Sequence, residues 1–220
     1  MRDAFHDDLD KVSDDLVEMT QMVGAAMQRA TKALLETDLS TAESVIAADD
    51  DIDALRREVD DRAVDLLARQ QPVATDLRMV VTAMHMASDI ERMGDLARHV
   101  AKAARRRYPE PAVPEELHGM VRDMASVADR LVVATGKAIA DKDVLGAVEI
   151  SRIDDELDEL HREMFGELLG QSWEHGTEAA VDTTLISRYY ERFGDHAVAV
   201  ANRIVYLVTG RYETDEDDLQ

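Results

Sequence analysis

Two stretches of the sequence lie one hundred residues apart and share a motif. The first is "DIERMGDLARHVA" at 89–101, and the second is "YYERFGDHAVAVA" at 189–201. Each contains Glu-Arg-X-Gly-Asp, at Glu91–Asp95 and at Glu191–Asp195. The two acids of each copy are four residues apart, which places them one turn apart on the same face of an α-helix. The repetition indicates that the chain contains two related halves.

A second repeated stretch precedes each motif. "DLSTAESVIAADDDIDAL" at 38–55 matches "DVLGAVEISRIDDELDEL" at 143–160, an offset of 105 residues. This offset differs by five residues from that of the motif, which predicts extra length in the first half near Pro72. Matches that keep their order indicate internal duplication, and chance similarity between two acidic helices is the alternative. The acids that coincide are Asp38 with Asp143, Asp49 with Asp154, Asp50 with Asp155, and Asp53 with Asp158.

Apolar residues recur with helical periodicity along most of the chain and predict an all-α fold. Prolines cluster in "YPEPAVPEE" at 108–116, which stops helices and predicts a joint between the halves. Short connections within each half favour antiparallel helices, so we expect two tandem, pseudo-symmetric three-helix bundles. The predicted helices are 3–36, 40–70, 74–107, 115–140, 143–171 and 177–209. The predicted domains are 1–108, a proline-rich joint at 109–114, 115–210, and a disordered acidic tail at 211–220.

The positions of the apolar residues predict which side of each helix is buried. On the third and sixth helices the motif acids lie away from the apolar stripe, which places them on an accessible face. On the second and fifth helices two acids flank the buried line by about 60–100°. The stripes are Met79, Ala83, Met86, Ile90, Met93, Ala97, Val100 and Ala104, and Ile186, Tyr190, Phe193, Ala197, Val200, Ile204 and Leu207. The buried lines are Val45, Ile52, Val59 and Leu66, and Ile150, Leu157 and Met164.

Each half therefore has two pairs of acids on neighbouring helices, and their convergence predicts a metal site. Like charges in one groove repel, and a hard or borderline cation with oxygen ligands relieves that repulsion. Gly94 and Gly194 lie between the motif acids, where a missing side chain allows close helix approach. The alternative is a solvated acidic face without metal. The candidate ligands are Asp49, Asp53, Glu91 and Asp95 in the first half and Asp154, Asp158, Glu191 and Asp195 in the second.

Composition limits the classes of partner. The 220 residues have a formal net charge of −22, which argues against binding nucleic acid or free phosphate and favours cations and basic protein surfaces. The absence of cysteine excludes disulfides and thiolate catalysis. No apolar run approaches the roughly 18 residues that a membrane span needs, and the acidic start is unlike a signal peptide. We therefore expect a cytoplasmic protein.

The two motifs, the acidic pairs and "QQPVATDLR" at 70–78 together resemble the PhoU family, accessory regulators of the phosphate-specific (Pst) transport system. The resemblance implies tandem three-helix bundles, multinuclear iron or zinc on the acidic pairs, and assembly as a homodimer. It also implies a negative regulator without catalytic turnover, which binds the Pst ATPase or permease and a phosphate-sensing histidine kinase. Many relatives have Asn four residues after the motif Asp. Here those places hold His99, an additional candidate ligand, and Ala199, which cannot bind metal.

Two other functions are consistent with parts of the sequence. A carboxylate-bridged di-metal protein of the ferritin-like class, an oxidase or iron-handling protein, requires Glu-x-x-His on two helices. Glu115–His118 is a literal match, but it lies beside the proline joint and has no repeated partner, while Asp158–His161 is an Asp version. A metal-free helical scaffold whose acidic grooves meet basic partners is the second alternative. Bound metal would exclude the metal-free scaffold, and oxidase or ferroxidase turnover with bound iron would favour the ferritin-like class.

Overall fold

The computed structural model describes residues 2–170 and 173–211, and within them it contains only helices and connections. The six long helices begin and end within three residues of the predicted positions. Of the predicted acidic tail at 211–220, only Arg211 lies among the described residues. The helices are α1 (Arg2–Glu36), α2 (Leu39–Gln70), α3 (Ala74–Arg107), α4 (His118–Asp141), α5 (Val144–Leu169) and α6 (Gly176–Thr209), and a 3-10 turn (Glu115–Leu117) precedes α4.

Each half forms a three-helix bundle, α1–α3 in the first and α4–α6 in the second. The halves join through two pairs of equivalent helices, since α1 packs on α4 and α3 packs on α6. Gln28 of α1 donates a 2.6 Å hydrogen bond to Asp129 of α4, and a Cβ at Gly24 would come within 2.9 Å of Val132. From Gly24 to Gln28 the residue number increases along α1, while the contacted residue on α4 changes from Val132 to Asp129. The two helices are therefore antiparallel. The predicted all-α fold of tandem, pseudo-symmetric bundles is confirmed.

The repeated acids Asp38 and Asp143 are the N-caps of α2 and α5. Asp38 accepts a 3.0 Å hydrogen bond from the Thr41 backbone N–H, and Asp143 accepts one from the Leu145 backbone N–H. Each satisfies a donor that the first turn of a helix leaves unpaired.

Ser40 and Glu43 have the spacing of a capping box, which predicts that α2 begins after Ser40. This prediction is wrong, because α2 already begins at Leu39 and Ser40 lies inside it. The extra length of the first half lengthens a helix, since α2 has 32 residues and α5 has 26.

The apolar stripes predicted for α3 and α6 and the lines predicted for α2 and α5 are buried, with Met79 partly so. They form one core that continues across both halves. Tyr190 is fully buried, and its hydroxyl lies 2.6 Å from the Thr31 hydroxyl of α1, which ties α6 to the first half. In the joint, Ala112 and Val113 are buried. None of the helices described is both long and apolar enough to cross a membrane.

Candidate functional site

The first acidic cluster, formed by Asp49 and Asp53 of α2 with Glu91 and Asp95 of α3, lies along the seam between these helices. Only 5% of the Asp49 side chain is exposed, against 15% for Asp95 and 18% for Glu91. These acids are thus more buried than the sequence predicts, because α2 packs over the side of α3 that faces away from its apolar stripe. Burial and the neighbouring Asp95 raise the pKa of Glu91.

Two arginines partly neutralise the first acidic cluster. Arg98 spans the seam, donating one hydrogen bond to Asp49 at 2.5 Å and another to Asp95. Arg92 donates to the other oxygen of Asp95 at 2.7 Å and lies 3.9 Å from Glu91. Burial nevertheless raises the pKa of Asp49, against the opposing effect of Arg98. The first acidic cluster is therefore an ion-pair network in which the positive charges come from arginine side chains of the same chain.

The second acidic cluster is formed by Asp154 and Asp158 of α5 with Glu191 and Asp195 of α6. No hydrogen bond described for residues 2–170 and 173–211 places an arginine across its seam, as Arg98 lies across the first. Val198 occupies the place equivalent to Arg98. Arg188 pairs with one oxygen of Glu191. Within the described part of the chain, the solvent-inaccessible atoms Asp154 Oδ1 and Glu191 Oε2 have no hydrogen-bond partner. Burial, followed by repulsion from the neighbouring carboxylates, raises the pKa of Asp154 to about 7.

The motif glycines allow the close approach that the sequence predicts, but they accommodate different groups. A Cβ at Gly194 would overlap Asp154 Oδ1 and lie 3.1 Å from Leu157. A Cβ at Gly94 would instead meet the end of Ile52 at 3.0 Å. In the second half the glycine thus makes room for a carboxylate, whereas in the first half it makes room for an apolar side chain.

The histidines singled out by the sequence make other contacts. His99 stacks on Tyr189 of α6, with ring centroids 5.2 Å apart, and burial lowers its pKa. His118 lies 3.1 Å from the Val113 carbonyl oxygen and so fixes the joint to α4. His161 lies 3.0 Å from the hydroxyl of Ser187. The contacts of His118 and His161 give no support to a ferritin-like site built on Glu115–His118 or Asp158–His161.

Across residues 2–170 and 173–211, no group of three or more His, Cys, Asp or Glu side chains is arranged so that it could hold a metal ion. The second acidic cluster nevertheless has suitable donor chemistry, because two of its buried carboxylate oxygens have no hydrogen-bond partner among the described residues and its charge is poorly compensated. Binding of a cation there would therefore require carboxylate side chains to rotate towards it.

Comparison with known proteins shows that both halves of the chain match the same domain family. The PhoU domain model matches residues 16–104 and again residues 121–204, once in each half. The chain belongs to the PhoU family. It is 47% identical over 212 residues to the phosphate-specific transport system accessory protein PhoU homolog 2 of Mycobacterium tuberculosis, covering 96% of this chain and 100% of the relative. It is 45% identical over 216 residues to PhoU homolog 1 of Mycobacterium leprae, covering 98% and 97%.

Solved structures agree with this PhoU assignment. The crystal structure of PhoU from Pseudomonas aeruginosa matches with a TM-score of 0.85 and 29% identity, over 94% of this chain and 100% of that one. The phosphate transport system regulatory protein PhoU from Streptococcus pneumoniae matches with a TM-score of 0.86 and 25% identity, over 96% and 100%. The tandem-bundle fold of this PhoU-family chain is thus shared with experimental structures.

Sequence reasoning missed the ion pairs that join the halves of this PhoU-family chain. Asp89 of α3 accepts a 2.6 Å hydrogen bond from Arg203 of α6 and lies 3.3 Å from His196. In a second contact the acid is on α6 and the bases are on α3. Asp182 accepts hydrogen bonds from Arg106, at 2.5 Å, and from Arg107. The arginines at the end of α3 therefore serve the contact between halves. No local pattern reveals these pairs, because the partners lie far apart in the chain.

Proposed function

We propose that this chain is an accessory protein of a phosphate-specific transporter and a negative regulator of phosphate uptake and phosphate-starvation signalling. The observation that carries the proposal is its similarity, over nearly the whole chain, to PhoU homologues named as accessory proteins of that transport system. It acts in the cytoplasm, without catalytic turnover, by binding the transporter ATPase or permease and a phosphate-sensing histidine kinase.

The charge of the protein supports a role in binding. A net charge of −22 favours basic surfaces on partner proteins and disfavours free phosphate as a direct ligand. The duplication supplies two related bundles, so that two partners, or two copies of one partner, can be contacted by one chain. Assembly as a homodimer belongs to the same proposal.

Exposed apolar residues support contact with another protein. Leu77 and Val81 are 41% and 39% exposed on α3, while Val181 and Leu185 are 52% and 38% exposed on α6. Val81 and Val181 occupy equivalent places in the two halves, and each pair is spaced by four residues. Apolar patches of this kind are typical of protein interfaces when polar residues surround them.

We also propose that the second acidic cluster binds a cation, iron or zinc, through Asp154, Asp158, Glu191 and Asp195. The buried carboxylate oxygens without partners and the space that Gly194 leaves for Asp154 support this assignment. A cation bound there would supply local positive charge, to which an anion or a carboxylate of a partner could bind. Asp154 and Glu191 would orient it from opposite sides of the α5–α6 seam.

Affinity purification of the full-length chain tests the proposed binding. A tagged copy, expressed in the organism that encodes the chain and grown in ample phosphate, should retain the transporter ATPase and the histidine kinase. Replacing Val81 and Val181 with Asp should weaken retention, because a charge would enter each apolar contact. Val133→Asp is the matched control, since Val133 is 66% exposed in α4, outside the proposed surface. Retention of neither partner by the wild-type chain would contradict the proposal.

A further inference from the structure

Arg98 occupies the position between the helices of the first acidic cluster where a cation would compensate the carboxylates. Its Nη1 donates to Asp49 of α2 and its Nη2 donates to Asp95 of α3, so one guanidinium joins acids on both sides of the seam. The arginine is itself largely enclosed, with 27% of its side chain exposed, and Asp49 beneath it is 5% exposed. The contact is therefore part of the packed α2–α3 seam rather than a solvent-exposed ion pair.

The second half offers an internal comparison, because the same helices and acids recur there without this arginine. Val198, at the place of Arg98, is packed against the core. Arg188, which approaches from the preceding turn of α6, contacts Glu191. Asp154, the equivalent of Asp49, retains an oxygen that has no hydrogen-bond partner among the described residues.

We propose that Arg98 replaces a metal ion in the first acidic cluster, so that this chain binds metal at its second acidic cluster alone. The inference rests on the proposed cation site in the second cluster and specifies which half uses it. A guanidinium and a metal cation compete for the same lone pairs, here those of Asp49 and Asp95. A metal would have to displace Arg98 from two charge-assisted hydrogen bonds. At the second cluster it would meet Asp154 Oδ1 and Glu191 Oε2, which have no hydrogen-bond partner in the described part of the chain.

A reciprocal exchange of side chains tests this inference. Untagged wild-type protein, Arg98→Val and Val198→Arg are stripped with chelator, dialysed against Zn²⁺, and measured for zinc per chain by elemental analysis. The same measurement is made with Fe²⁺ in the absence of oxygen, and if only Fe²⁺ binds, the expectations below apply to iron. Arg98→Val should increase bound zinc about twofold, since two independent and equal clusters would then bind. Val198→Arg should lose most of the zinc of the wild type. Replacing Glu91 and Asp95 with Ala in the wild type should leave zinc unchanged, while replacing Glu191 and Asp195 should remove it.

Further variants and a folding check exclude misfolding as the cause of a change in zinc binding. Arg98→Met keeps an apolar stem of similar length and should also gain zinc, whereas Arg98→Lys retains a positive charge and should gain less. Circular dichroism establishes that each variant is folded before zinc is added. The shift in melting temperature on adding zinc gives a second readout, and it should be larger for Arg98→Met than for the wild type.

The results distinguish failure of the proposed cation site in the second cluster from failure of the role assigned to Arg98. A wild-type chain that binds no zinc and no Fe²⁺ contradicts the cation site itself, and with it the role of Arg98. A wild-type chain that binds zinc, together with folded Arg98→Val and Arg98→Met variants that bind no more, overturns the assignment of Arg98 alone. Loss of half the zinc when Glu91 and Asp95 are replaced also overturns it, because metal would then share the first cluster with the arginine.

Discussion

Replacement of Asp154 by Asn should stabilise the metal-free protein at neutral and alkaline pH. The pKa of Asp154 rises from 3.8 to about 7 on folding, through burial and repulsion from neighbouring carboxylates. Below pH 3.8 the group is protonated in both the folded and the unfolded chain. As the pH increases from there to about 7, the unfolded chain releases this proton while the folded chain keeps it, so the free energy of unfolding decreases. Asn removes that pH-dependent loss.

The size of the effect follows from the same change in pKa. Each pKa unit corresponds to about 1.4 kcal/mol, so the increase from 3.8 to about 7 sets an upper limit of roughly 4 kcal/mol. Since the side chain is only half-buried, solvent screening reduces the expected gain to about 1–3 kcal/mol at pH 8. Urea unfolding followed by circular dichroism, with chelator present, should show this gain at pH 8 and nearly equal stabilities at pH 4.

Matched variants show whether the gain depends on the uncompensated charge. Asp49→Asn, at the equivalent place in the first half, should stabilise less, because Arg98 pairs with Asp49. Asp155→Asn changes an exposed neighbour and should alter stability by less than about 0.5 kcal/mol. With Zn²⁺ added, the order should reverse, since the wild type then gains a bound cation. If Asp154→Asn is not more stable than the wild type at pH 8 without metal, the electrostatic argument is wrong.

Two further predictions concern packing. Gly194→Ala should reduce zinc affinity at least about tenfold, because the new Cβ would displace Asp154. Gly94→Ala is the control and should leave zinc affinity unchanged, because its Cβ meets Ile52. Equal effects of the two substitutions in a zinc titration would count against the proposed site. Asp182→Ala should lower the free energy of unfolding by about 2–4 kcal/mol, because it leaves two arginines of α3 without their shared partner. A loss below about 0.5 kcal/mol in urea unfolding would mean that this contact between the halves is weak.

The fold could be predicted from the sequence because its signals are local and repeated. Helical periodicity extends through every long helix, and the prolines of the joint mark where the first half ends and the second begins. The sequence does not specify the start of α2, since Asp38 and Ser40 are both good N-caps and lie two residues apart. The hydrogen bond from Thr41 to Asp38 decides between them, and only the structure shows it.

The meeting of the acids could be predicted from the sequence, because pairs spaced by four residues recur on helices that short connections make neighbours. The different electrostatics of the two acidic clusters could not be predicted. Whether Arg98 reaches Asp49 depends on the register of α2 against α3 and on the side-chain rotamer, neither of which the sequence specifies. The pairs between Asp89 or Asp182 and the opposite half depend similarly on how the two bundles dock.

The proposed restraint of phosphate-starvation signalling by this PhoU-family chain can be measured in the cell. The most direct measurement is a reporter of phosphate-starvation transcription in ample phosphate, in a strain lacking this chain and any close paralogue. We predict that the reporter stays on in that strain and that a full-length copy switches it off. A reporter that remains silent without the chain would contradict the account.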